Sequence, residues 1–156
     1  MFTASLQGFV YAQENPAGIE FERVNPDKTT RYKLKRLSEK ITLTRLNLMK
    51  SKNIGNFYLD LVEKRGKELI YINQTEKLAY LESTTSRYIT YVGLFTETYD
   101  NNKEGIDVNR ANRILSQQKE LFMKEKEKYE YGTSQWLLVQ QAIETADVLL
   151  SEIKTP

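Results

Sequence analysis

The chain has 156 residues, of which 40% are hydrophobic and 28% charged, enough apolar material for one folded domain with or without an appendage. It contains no cysteine and no histidine, which excludes disulfides, thiolate nucleophiles, zinc–cysteine sites, iron–sulfur clusters and a Ser-His-Asp triad. The charge is uneven: residues 23–52 hold ten basic and two acidic residues, a net +8, so in a chain of net +2 the rest carries −6.

The first hundred residues are predicted to be mostly β. Residues 2–13 are rich in strand formers, Asn15-Pro16 marks a turn, and residues 18–24 alternate between two faces. A second turn at residues 25–28 leads to a predicted hairpin, whose strands at 30–37 and 40–49 meet across Ser38-Glu39.

A short helix is predicted near residues 54–65. Its apolar residues follow the i, i+3, i+4, i+7, i+8 pattern of an amphipathic helix and are Ile54, Phe57, Tyr58, Leu61 and Val62. Asn53 is placed to cap its start and Gly66 to end it. A strand at 57–62 is the alternative, because apolar residues also alternate there; we favour the helix.

Strands are predicted again at residues 68–74, 78–82 and 87–98, the last on the strand propensity of its tyrosines and β-branched residues. Two helices follow within residues 106–156. Asp107 is placed to cap the first, Gly132 to end it, and Thr133 or Ser134 to cap the second. The second has a wide apolar face, so we expect this helical hairpin to pack on the β domain or on a partner subunit.

The order of these elements is that of a five-stranded OB barrel if residues 2–24 form one bent first strand. Residues 6–10 (Leu-Gln-Gly-Phe-Val), residues 14–16 (Glu-Asn-Pro) and the segment 53–72 resemble the bacterial and phage single-stranded-DNA-binding proteins of that fold. The resemblance covers about the first 98 residues. It implies an antiparallel, OB-like β-barrel over residues 1–100. Together with the C-terminal two-helix hairpin predicted above from the helical period, this gives an α+β fold class.

The basic segment indicates a polyanionic partner, of which nucleic acid is the commonest; a solvated basic face without a partner is the alternative. Binding a single strand requires cations along the phosphates and aromatic faces for the bases. In a strand, Arg31, Lys33 and Lys35 would share one face. The predicted nucleic-acid-binding residues are Arg23, Lys28, Arg31, Tyr32, Lys33, Lys35, Arg36, Lys40, Arg45, Lys50 and Lys52. The aromatic candidates for stacking are Phe21, Tyr32, Tyr71, Tyr80 and Tyr88.

Two functions are therefore expected, and neither is enzymatic or needs a cofactor. The first is a single-stranded DNA- or RNA-binding protein that oligomerises through residues 106–156. The second is a protein-interaction or assembly factor, such as a virion accessory or an inhibitor of a host enzyme, that uses the basic segment and the apolar last helix. Aromatic side chains beside the cations on one exposed face would favour the first.

No membrane partner is expected, because no apolar run approaches the length of a transmembrane helix. The opening residues lack a basic and an apolar targeting region, so we expect a cytoplasmic protein, in the host cytoplasm if it is viral.

Overall fold

Helices make up nearly all of the computed structural model, which describes residues 29–48, 53–101, 103 and 105–154. The side chains of residues 29, 31, 47, 48 and 154 lie outside this description. In chain order the elements are α1 (Thr29–Leu48), α2 (Ile54–Gln74), a short 3-10 helix (Leu78–Tyr80), α3 (Leu81–Asn101), α4 (Val108–Lys126) and α5 (Ser134–Lys154).

The core is shared by α2, α3, α4 and α5. Helix α2 packs along α3 and α4, while α5 packs along α4 and α3. Leu59, Phe95 and Leu115 are fully buried between them. The rings of Tyr88 and Phe122 meet edge to face with their centroids 5.3 Å apart, an arrangement that aromatic pairs favour. This core fixes α2 and α3 relative to each other, and both helices support the site described below.

The starts of α4 and α5 and the turn between these helices are set by short-range hydrogen bonds and a glycine. Asp107 caps α4, as predicted, and its carboxylate accepts a hydrogen bond from the backbone N–H of Arg110 at 2.9 Å. The hydroxyl of Thr133 accepts one from the N–H of Trp136 at 3.3 Å, at the start of α5. Gly132 has a φ of +79°, a left-handed conformation that glycine adopts without strain.

Helix α1 is held against α2 mainly by polar contacts. Glu39 and Glu68 both pair with the guanidinium of Arg65, and all three side chains are buried. Tyr32 Oη donates to Glu68 Oε2 at 3.1 Å, and Lys35 Nζ donates to Glu68 Oε1 at 3.0 Å. We call these five side chains the Arg65 cluster. Among the described side chains of α1, the apolar one that packs against the core cluster is Leu43.

The predicted β-barrel is wrong, because the part of the chain that is described contains no strand. The α+β fold class and the resemblance to OB-fold single-stranded-DNA-binding proteins are overturned with it. The hairpin predicted across Ser38-Glu39 is the single helix α1, in which Tyr32, Lys35 and Glu39 face α2 at spacings of three and four residues. The strands predicted at 2–13 and 18–24 lie outside the described residues.

The strands predicted at 68–74, 78–82 and 87–98 are also helical. The helix predicted near 54–65 is the first part of α2, which passes through Gly66 and continues to Gln74. Residues 68–73 are all buried, and the apolar run at 69–72 within them has the same appearance in a central strand and in a buried helix. In α3 the buried Tyr88, Val92 and Phe95 follow the helical period, so packing overrides strand propensity there.

Candidate functional site

A cleft lies between α1 and the segment that begins α3. Its lining residues are Tyr32, Lys33, Arg36, Leu37 and Lys40 from α1, Tyr80 from the 3-10 helix, and Ser83 and Arg87 from α3. The cleft is open to solvent and has a volume of about 460 Å³. Four of these eight lining residues are cationic and none is acidic. The cleft is therefore suited to an anionic ligand.

The α1 wall follows from the helical period. Lys33, Arg36, Leu37 and Lys40 are three, four and seven residues apart, which places them on one side of the helix. Lys33 and Lys40 are exposed, whereas Arg36 is half-buried. The Nη1 atom of Arg36 is buried and has no hydrogen-bond partner. This wall thus offers two mobile ammonium groups and one guanidinium with a donor still to be satisfied.

The opposite wall carries Arg87, the single cation of α3. Its Nη2 donates to Thr84 Oγ1 at 2.6 Å, while its Nε is buried without a partner. Burial lowers the pKa of Arg87, and the neighbouring charges of Arg36 and Arg65 act in the same direction, against the opposing effects of Tyr32 and Glu68. Positive charges are therefore crowded here, and a bound anion would relieve their repulsion.

The Arg65 cluster adjoins the cleft through Tyr32, which belongs to both. Burial, and next the nearby Glu68 carboxylate, raise the pKa of Tyr32, so its hydroxyl remains a donor to Glu68. Glu39 and Glu68 are both engaged with Arg65, and neither lines the cleft. These two carboxylates are thus engaged with Arg65 and are not part of the surface that a ligand would contact.

Two tyrosines lie beside these cations. Tyr80 has 37% of its surface exposed, and Tyr32 is half-buried at the inner edge of the cleft. Of the other aromatic candidates, Tyr71 and Tyr88 are buried in the core, where no base can reach them, and Phe21 lies outside the described residues. The cleft therefore combines cations and aromatic faces within one open surface.

The structure brings together four of the predicted binding residues: Tyr32, Lys33, Arg36 and Lys40. Lys35 pairs with Glu68 in the Arg65 cluster, and Arg45 is exposed on α1; neither residue lines the cleft. The single face predicted to carry Arg31, Lys33 and Lys35 is wrong, because Lys33 and Lys35 are two residues apart in a helix and are separated by about 200° around it. Arg23, Lys28, Lys50 and Lys52 lie outside the described residues, as does the side chain of Arg31. Contact of any of these residues with nucleic acid stays a prediction.

Sequence reasoning missed Ser83 and Arg87. They lie one helical turn apart on α3; Arg87 begins the strand predicted at 87–98, and Ser83 lies between two predicted strands. A signal was present, because Arg87 is a lone cation among threonines and aromatic residues. Its position beside α1 depends on tertiary packing, which no local pattern reveals.

Comparison of the chain with protein-family models, curated proteins and solved structures finds no match. Neither these comparisons nor the fold supports the viral origin considered from the sequence. Within residues 29–48, 53–101 and 105–154, no helix has both the length and the apolar character needed to cross a bilayer. The same part of the chain has no group of three or more carboxylates placed to hold a metal ion.

Proposed function

We propose that this protein is a non-enzymatic binding protein for single-stranded nucleic acid and that the strand lies in the cleft between α1 and α3. The observation that carries the proposal is the combination of four cations with Tyr32 and Tyr80 on one open surface. Phosphates are attracted by the cations, and unpaired bases stack on aromatic faces. A cytoplasmic location is part of the proposal.

The two kinds of cation have different roles in this proposal. Lys33 and Lys40 are exposed at the rim, so they attract phosphates at a distance and follow a flexible backbone. Arg36 and Arg87 are partly buried, and each has a buried N–H group without a partner. A phosphate oxygen accepts from a guanidinium with defined geometry, so the Arg36 and Arg87 side chains that line the cleft would fix the position of one nucleotide.

Binding of this kind is salt-dependent and only weakly selective for sequence, because phosphates and aromatic stacking are common to all nucleotides. A duplex exposes no unpaired base for Tyr80. We therefore expect single strands to bind more tightly than a duplex of the same length at the same salt concentration.

The test is fluorescence anisotropy with labelled single-stranded DNA, single-stranded RNA and a duplex, each over a salt series. The variant Lys33→Glu/Lys40→Glu should weaken single-strand binding at least tenfold. It should also reduce the slope of log K against log salt by about 1.4, since each lost phosphate contact on a single strand is worth about 0.7.

The matched control is Arg113→Glu/Lys124→Glu, which makes the same change in net charge at exposed positions of α4. This control should keep most of the affinity. Equal losses in the two variants would mean that net charge, and not the cleft, attracts the strand. Absence of single-strand binding by the unaltered chain at low salt would refute the proposed function.

The second expectation, a protein-interaction factor, is kept as the alternative because α1 has exposed apolar side chains, described below. In this alternative the apolar last helix no longer serves as the contact surface for a partner. Most apolar residues of the last helix, among them Val139, Ala142 and Leu149, are buried in the protein's own core. A partner would instead contact α1.

A further inference from the structure

Helix α1 carries an apolar stripe that faces away from the protein. Leu34, Leu37 and Ile41 are 61%, 53% and 62% exposed, and their spacing of three and four residues aligns them along one side. The exposed cations Lys33, Lys40 and Arg45 lie beside them on the same helix. A helix of this composition is suited to an apolar groove with acidic edges.

Such a groove exists elsewhere on the molecule, between α3 and α5. Its apolar surface includes Ile89, Val92 and Val148, and the last of these is 57% exposed. Gly93 is exposed in the α3 wall, and no atom lies within 4 Å of the position where a Cβ would stand. The absence of a side chain at Gly93 leaves room for another helix to approach, and the groove has a volume of about 640 Å³.

The edges of this groove are acidic. Glu97 and Asp100 of α3 and Glu144 and Glu152 of α5 all line it, and it has no cationic lining residue. These carboxylates complement the cations beside the apolar stripe of α1. Opposite charges at the edge of an apolar contact select the partner and its orientation.

The lengths also agree. On the α3 wall, Ile89 and Asp100 are eleven positions apart, which is about 16 Å at the helical rise. On α1, Leu34 and Arg45 are also eleven positions apart and thus separated by the same distance. The stripe with its cations therefore matches the groove in length, apolar character and charge.

We propose that α1 of one copy of this protein docks into the α3–α5 groove of a second copy. A helix cannot fill the groove of its own molecule in this arrangement, because the buried pair of Glu39 with Arg65 holds α1 on α2 with the stripe outward. The contact joins two different surfaces, so it is head-to-tail and builds a closed ring or a filament. This proposal does not rest on nucleic-acid binding, although Lys33 and Lys40 take part in both, so its test is made without nucleic acid.

Two variants test it, each removing one side of the contact. Leu34→Asp/Ile41→Asp places acids on the stripe opposite the acidic groove; Leu37 is left unchanged because it also lines the cleft. Gly93→Arg fills the groove and adds a positive charge to it, in space that the monomer leaves empty. Circular dichroism confirms that each variant keeps its helices.

Sedimentation velocity, measured without nucleic acid, reports the mass of each assembly. The unaltered chain should show a mass that rises with concentration and falls with salt, while each variant alone should remain a monomer. An equimolar mixture should form a heterodimer of twice the monomer mass, because the intact stripe of Gly93→Arg can dock into the intact groove of Leu34→Asp/Ile41→Asp. Such complementation is specific to a head-to-tail contact.

The controls are Gly93→Ala, which leaves most of the groove open, and Met123→Asp/Leu137→Asp, which alters exposed apolar residues outside both surfaces. Both should assemble like the unaltered chain. A chain that is monomeric at all concentrations, or variants that fail to complement each other, would overturn the proposal. Binding of the monomer to anionic lipid vesicles that is lost in Leu34→Asp/Ile41→Asp would also overturn it, assigning the stripe to a membrane surface.

Discussion

Arg65 of α2 and Glu39 of α1 form an ion pair that is nearly inaccessible to solvent, with side-chain exposures of 0% and 7%. Arg65 also pairs with Glu68, which is 1% exposed. One guanidinium therefore pairs with carboxylates from two helices, and Lys35 supplies the second positive charge at Glu68. Removal of a single member of such a group leaves an uncompensated buried charge.

We expect Arg65→Met to lower the free energy of unfolding by about 3–5 kcal/mol, because Glu39 and Glu68 would remain buried beside an apolar side chain. Urea denaturation followed by circular dichroism measures this loss. The control Lys67→Met removes a half-exposed ion pair with Glu63 and should cost less than about 1 kcal/mol. Equal losses in both variants would contradict the importance assigned to the buried pair.

Glu63 contributes stability that depends on pH. Burial raises the pKa of its carboxyl, but hydrogen bonds from Lys67 and Arg110 outweigh this effect, and the pKa lies below its ordinary value of 4.5. The folded state therefore binds the proton less readily than the unfolded chain does. The stabilisation is fully present above about pH 4.5 and is lost as the pH falls through the lower, folded pKa.

The stability difference between the unaltered chain and Glu63→Gln should consequently shrink between about pH 4.5 and more acidic values. Urea denaturation at a series of pH values measures it. The expected curve favours the unaltered chain most near neutrality. If the difference in free energy of unfolding stayed constant at every acidic pH measured, the charge of Glu63 would contribute no stability.

Two glycines of similar helical setting should respond in opposite ways to alanine. A Cβ at Gly66 would clash with Nε2 of Gln118, a buried side chain that donates to the backbone oxygens of Val62 and Glu63. Gly66→Ala should therefore destabilise the fold by about 1–3 kcal/mol. Gly93→Ala meets open space and should stabilise it by about 0.5–1 kcal/mol through helix propensity.

A second substitution checks the cause. If the clash with Gln118 is responsible, Gly66→Ala/Gln118→Ser should be more stable than the sum of the two single changes predicts, in a thermal or urea double-mutant cycle. Additive effects would place the strain elsewhere in α2.

The hydroxyl of Tyr88 is buried and has no hydrogen-bond partner, and burial raises its pKa. Tyr88→Phe keeps the ring against Phe122 and removes an unsatisfied polar atom, so stability should stay equal or rise by up to about 1 kcal/mol. Tyr129→Phe is the matched control, since the Tyr129 hydroxyl donates to Asn73 at 2.8 Å and its removal should cost about 1 kcal/mol. Calorimetric midpoints of the two variants should shift in opposite directions, or Tyr88→Phe should not shift at all.

The C-terminal helices were predictable because their signals are local and mutually consistent. The capping carboxylate of Asp107 and a helical period sustained through residues 136–153 indicate the same structure. The α3 segment misled because its threonines and tyrosines favour strands. In the structure, Thr90, Thr96 and Thr98 each donate to the carbonyl oxygen four residues earlier, so the helix satisfies their hydroxyl groups itself.

The cationic half of the site was visible in the sequence, but its geometry was not. Alternation of Lys33 and Lys35 with apolar residues suggested a strand, whereas the pairing of Lys35 and Glu39 with groups on α2 fixes a helix. That pairing joins residues 26 to 33 positions apart in the chain. Contacts between residues so far apart produce no periodic pattern in the sequence, so the second wall of the cleft could not be predicted.

Helix α1 is attached mainly by polar contacts, and the cleft exists only while α1 is docked. The four-helix core holds one wall, while the other wall depends on a docked helix that contributes little apolar contact. Amide protons of α1 should therefore exchange with solvent through local opening at a lower free energy than those of α2. A ligand bound to both Arg36 and Arg87 would join the two walls and oppose that opening. Ligand binding in the cleft and docking of α1 on α2 are thus thermodynamically linked, so each stabilises the other.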